Sequence, residues 1–105
     1  MLKTKQIAAT VVAVSLIGSL AVASGVQAAG LSLGALVASQ CNTCHGTDGE
    51  GAQSVPRLAG LDADEIFESM KAFASGEDAA SIMDRVAKGY SDEQLHAVAN
   101  YYSEQ

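Results

Sequence analysis

Two thiols and an imidazole within five consecutive residues, Cys41-Asn42-Thr43-Cys44-His45, constrain this chain more than anything else in it. They include both of its cysteines, and C-x-x-C-H is the spacing at which one haem is attached covalently. The reason is mechanical. Two thiols about one helical turn apart can each add to a vinyl group of the same porphyrin, and the adjacent His45 then comes under the iron. Other chemistries fit these residues less well. A thioredoxin-like pair belongs beside a βαβ pattern, and none is visible. A structural zinc needs four Cys or His ligands, and only His96 is left to join Cys41, Cys44 and His45. A plain disulfide stays open to an exported chain.

Residues 1–28 read as a cleavable export signal and not as part of the fold. Lys3 and Lys5 precede an uncharged apolar run from Ile7 to Ala23, and Val26-Gln27-Ala28 presents small side chains at the positions a signal peptidase reads. The alternative is an uncleaved anchor, because the run approaches the roughly 18 apolar residues a membrane span needs. Its many Ala, Ser, Thr and Gly residues and its cleavage-like end favour the signal, hence a periplasmic protein with no stable membrane insertion. Cleavage leaves residues 29–105, one domain in which 105 less 28 gives 77 residues. A chain this short buries only about 60–65% of its unfolded surface and usually needs a cofactor, metal or disulfide to complete its core. Without Lys3 and Lys5, four of the six cations remain against 12 carboxylates, so the formal charge moves from −6 to −8. That balance argues against nucleic acid or an anionic membrane surface as partner.

The remaining chain reads as all-α, since no stretch alternates long enough for a strand. Leu33, Leu36, Val37 and Gln40 fall at helical spacing, which predicts a helix over about Leu33 to Gln40, with Gly34 able to admit a close neighbour. Asp62 is an N-cap with Glu65 placed to complete a capping box, ahead of an apolar face of Ile66, Phe67, Met70, Phe73 and Ala74 that ends at Gly76. Ser91 and Gln94 form the same signal before Leu95, Val98, Ala99 and Tyr102. A short turn covers Asp84 to Lys88, and Gly46 to Gly60 reads as a Gly-rich loop.

The iron's sixth ligand decides its function, because an occupied position gives an electron carrier and an open one a ligand-binding centre. Met70 lies in the apolar stripe of the middle helix, where Met is more often packing. His96 lies on the polar side of the last helix and reads as solvated. Met83 is left, outside both stripes and after a flexible stretch that can bring it to the distal side; Met70, His96 and an open site remain the alternatives. Pro56 is the only proline. Its carbonyl can accept from His45 and fix that ring, unless it merely breaks a loop. Arg57 can neutralise a haem propionate or stay solvated, and Leu58 is placed to pack on the haem.

From about Leu31 to Tyr102 the sequence resembles the class I c-type cytochromes: CNTCHG, a Gly-rich loop ending in VPRLAG, a middle helix, a loop Met, and a last helix ending in aromatics. The resemblance implies the small class I fold wrapped around one haem c. It further implies Met83 as distal ligand, the Pro56 carbonyl on the proximal His45, and a first-to-last helix crossing at Gly34 against Tyr101 or Tyr102. MKAFASGE and SIMDRVAKGYSDEQL are similar to the c4 and c553 group, most of all to cytochrome subunits of flavocytochrome c sulfide dehydrogenases. The dihaem members carry two such domains and this chain has one motif, so nothing that needs a second haem transfers. The implied function is electron transfer from an FAD-containing flavoprotein that oxidises sulfide to a downstream acceptor, with no enzymatic activity of its own. The alternatives are a diffusing c553-like shuttle and a haem-based ligand sensor.

Overall fold

Ser32 starts the first helix, its hydroxyl accepting from the Ala35 amide at 3.2 Å, and the helix runs as α1 over Leu33–His45. The computed structural model describes residues 30–105, so the expected export signal lies outside the described residues. After α1 come a short 3-10 turn, Thr47–Gly49, then α2 (Ala63–Ser75), α3 (Met83–Ala87) and α4 (Asp92–Ser103). The only β pairing among the described residues is an isolated bridge between Ala52 and Val55. The fold is all-α, as the sequence predicts.

Helix α1 is longer than its apolar pattern indicates, passing through the whole cysteine motif to Gly46. Asn42 and Thr43 are weak helix formers; Asn42 is held by the Tyr102 hydroxyl of α4 at 2.6 Å, while Thr43 is exposed. The buried face also differs from the expected one. Val37 and Ala38 are buried together with Gly34, whereas Leu33, Leu36 and Gln40 are exposed. Close crossing selects the face with the smallest side chains. A Cβ on Gly34 would stand 2.5 Å from the Ala97 carbonyl oxygen and 3.1 Å from Tyr101 Cβ, so the two backbones meet where no side chain fits. Tyr101 is thus the aromatic at the crossing. Tyr102 lies elsewhere, buried to 1% exposure with its ring against Gly49.

Helix α2 begins at Asp62, whose carboxylate accepts from the Asp64 amide at 2.9 Å. The expected return bond from Glu65 does not form: the cap reaches the second helical residue instead of the third, so Asp62 acts alone. Gly76 ends α2 in the left-handed conformation. On its apolar face only Ile66 is fully buried, with Phe67, Met70, Phe73 and Ala74 partly covered. Helix α4 carries the complete capping box, Gln94 amide to Ser91 hydroxyl and Ser91 amide to Gln94 side chain, and buries Leu95, Val98, Ala99 and Tyr102. Met83 is the first residue of α3 and not a loop residue, because the turn starts one position earlier than its sequence pattern indicates. Lys71 pairs with Asp92 at 2.7 Å on the surface between α2 and α4, where such a bridge contributes no more than about 1 kcal/mol.

Gly34→Ala gains about 1 kcal/mol of helix propensity but forces the crossing apart, and overpacking costs about 1–3 kcal/mol. Denaturant unfolding of the haem-loaded protein is expected to show net destabilisation. An unchanged midpoint would mean that the helices separate freely there.

Candidate functional site

Because α1 continues through the motif, Cys41 and Cys44 occupy successive turns of one helix and His45 is its last residue. Both thiols are free, Cys41 half-buried and Cys44 exposed. Burial pushes the unattached Cys41 thiol up from its ordinary range, an effect partly opposed by the Tyr102 hydroxyl. His45 is buried, at 6% exposure.

Its ring is held from the loop. The His45 Nδ1 lies 2.7 Å from the Pro56 carbonyl oxygen. A carbonyl can only accept, so the proton is on Nδ1 and the lone pair on Nε2 is left to bind a metal. The loop reaches that position through short-range bonds: the Gly51 amide donates to the His45 carbonyl at 2.6 Å, and Ala52 and Val55 exchange bonds of 3.1 and 2.8 Å across a tight turn just before Pro56. The Leu58 and Ala59 amides both donate to the Gly49 carbonyl, at 2.7 and 3.0 Å.

The other residues singled out from sequence fall as follows. Leu58 packs against the core cluster that includes Val37, Val98 and Tyr102. Arg57 is exposed and donates from Nε to the Ala59 carbonyl at 3.0 Å, while its terminal nitrogens have no partner among the described residues. Met83 and Met70 are both half-buried. His96 is exposed but not merely solvated: its ring stacks on Phe67 with centroids 3.8 Å apart and planes 8° from parallel. Pairing with an aromatic two helices away gives no periodic signal, and this is why the sequence does not show it. The stack holds His96 of α4 against Phe67 of α2. Among the described residues no three His, Cys, Asp or Glu side chains converge. The donor set instead fits one covalent haem: two free thiols a turn apart, then an imidazole with Nδ1 tied and Nε2 open.

A family profile described as cytochrome c oxidase, cbb3-type, subunit III matches residues 28–101. The chain belongs to this family of c-type cytochromes. The cytochrome carries one covalently attached haem c and functions in electron transfer. It is 39% identical over 88 residues to cytochrome c-553 of Nitratidesulfovibrio vulgaris, covering 79% of this chain and 86% of the relative. It is 34% identical over 71 residues to the cytochrome subunit of sulfide dehydrogenase of Chlorobaculum tepidum, covering 68% of this chain and 64%, just under two thirds, of that subunit. Among solved structures, an Acidithiobacillus ferrooxidans cytochrome c4 matches with a TM-score of 0.60 and 37% identity, over 62% of this chain and 38% of that one. The cytochrome therefore has the class I fold of the c4 group.

The Nδ1 proton of His45 is both buried and bonded, so in the diamagnetic ferrous protein it is expected to give a resolved resonance that exchanges slowly with water. Rapid exchange would mean that the bond to Pro56 does not hold the ring.

Proposed function

We propose that this cytochrome is exported to the periplasm, accepts electrons from an FAD-containing sulfide-oxidising flavoprotein and passes them to a downstream acceptor, without being an enzyme by itself. Cys41 and Cys44 hold the haem through thioether bonds, His45 is the proximal ligand, and Met83 is the distal one. Pro56 orients the imidazole, Arg57 offers its terminal nitrogens to a propionate, and Leu58 packs on the haem. Bound in this way, haem supplies a one-electron Fe(III)/Fe(II) couple.

The observation that carries the reading is the 2.7 Å contact between His45 Nδ1 and the Pro56 carbonyl, which holds a buried imidazole directly after the two cysteines and leaves its Nε2 to ligate iron. The similarity to a sulfide dehydrogenase cytochrome subunit supports the flavoprotein as donor. A diffusing c553-like shuttle is the second reading, favoured by the cytochrome c-553 relative that this chain covers almost completely. No helix among the described residues is long and apolar enough to cross a membrane, which agrees with either.

Salt separates the two readings. With a formal charge of −8 on residues 29–105, a shuttle is steered to basic partners, and its reduction rate falls as salt screens charges beyond about 8–10 Å. A permanent subunit co-purifies with flavin and responds little to salt.

Replacing Met83 by Ala is expected to abolish the weak far-red sulfur-to-iron band, lower the potential and admit imidazole or carbon monoxide. Met70→Ala should leave the band intact. A band that survives Met83→Ala would remove Met83 as ligand, and rapid carbon monoxide binding by the unmodified protein would replace the carrier with a sensor. Replacing both Cys41 and Cys44 by Ala is expected to abolish covalent haem on a denaturing gel; haem that remained would refute the attachment.

A further inference from the structure

Tyr102 is buried to 1% exposure, yet it has a polar group, and that group is directed into the cysteine motif. Its hydroxyl lies 2.6 Å from Oδ1 of Asn42, the residue between Cys41 and Thr43, and 3.1 Å from the Ala38 carbonyl one turn earlier. Burial raises this hydroxyl above the usual phenol range, so it stays protonated and remains a donor. The rest of Tyr102 holds the other side of the site. Its ring fills the space beside Gly49, where an added Cβ would come within 2.5 Å of it. Its carbonyl accepts from the Gly60 amide at 2.8 Å. Gly49 and Gly60 bracket the loop segment that carries Pro56, and the Gly49 carbonyl receives the amides of Leu58 and Ala59.

One side chain thus connects the helix that presents His45 and the loop that presents the Pro56 carbonyl, the two groups that must meet for the Nδ1 bond of 2.7 Å. We propose that Tyr102 and Asn42 are positioning residues that set the His45–Pro56 hydrogen bond and, through it, the electron-donating strength of the proximal imidazole. The inference rests on His45 being the proximal ligand. A strong bond from Nδ1 to a carbonyl makes the imidazole more basic and favours ferric iron. Loosening the link between α1 and the loop weakens that bond and raises the reduction potential. Asn42 occupies one of the two variable positions of C-x-x-C-H, where the attachment chemistry itself imposes no residue.

The geometry permits variants that still fold. Tyr102→Phe keeps the ring against Gly49 and loses only the hydroxyl. Asn42→Ala leaves the hydroxyl with the Ala38 carbonyl as acceptor, and Asn42→Asp restores an oxygen acceptor. The experiment measures the reduction potential and the His45 Nδ1 proton resonance of each haem-loaded variant. Val98→Ala serves as a control that destabilises the same core without touching the link. Tyr102→Phe and Asn42→Ala are expected to raise the potential and move the resonance in the same direction. The double variant should match the single ones instead of adding to them, and Asn42→Asp should return both readings toward wild type. Wild-type potential and resonance in both single variants would overturn the proposal, as would equal shifts in Val98→Ala, which would reduce Tyr102 to core packing. Failure of the proximal-ligand reading is distinguishable, because it appears as an unchanged haem spectrum and potential in His45→Ala, whatever Tyr102 does.

Discussion

The crossing of the first and last helices is the constraint on which the rest of this small fold depends. It requires Gly34 against the Ala97 carbonyl oxygen, and it decides which face of α1 is buried. Once Gly34, Val37 and Ala38 turn inward, Cys41 follows on the same face, half-covered, and Cys44 is left outside. The direction of the motif is therefore a by-product of a packing rule about small residues, and the asymmetric exposure of its two thiols comes with it.

The second tier of organisation runs through backbone groups. His45 is oriented by the carbonyl of Pro56 and by the bond from Gly51 to its own carbonyl, and the loop that supplies these is folded on Gly49. A proline suits that place because its ring fixes φ and its missing N–H is not needed. The loop has little regular structure, yet it is specified by a few amide-to-carbonyl bonds and by the Tyr102 ring against Gly49. This explains how so short a chain can hold an imidazole rigidly.

Charge is distributed apart from this construction. The acidic residues Asp62, Asp64 and Glu65 stand at the start of α2, and Asp92 and Glu93 at the start of α4, where they favour the helix dipole. All five are exposed. These five carboxylates add to a strongly acidic surface while lying in water at helix starts.

The sequence by itself determined the chemistry and the helical class. Five residues in a row specify covalent haem attachment, and the Ser91–Gln94 box and Gly76 stop were legible because capping is a local effect between residues three or fewer apart. What depended on partners distant in sequence was not. Glu65 matched a capping pattern, but Asp62 accepts from the Asp64 amide and Glu65 makes no return bond. The Leu33 and Leu36 spacing identified a helix and not its buried face. His96 looked solvated until Phe67 of another helix was placed beneath it. The Pro56 carbonyl was a candidate because a proline marked the loop and because the family resemblance implied it, whereas Asn42 gave no signal at all, because its partner Tyr102 is 60 positions away. Local bonding and covalent spacing are written in adjacent residues, whereas the orientation of a ring and the company of a hydroxyl exist only after distant segments have been packed together.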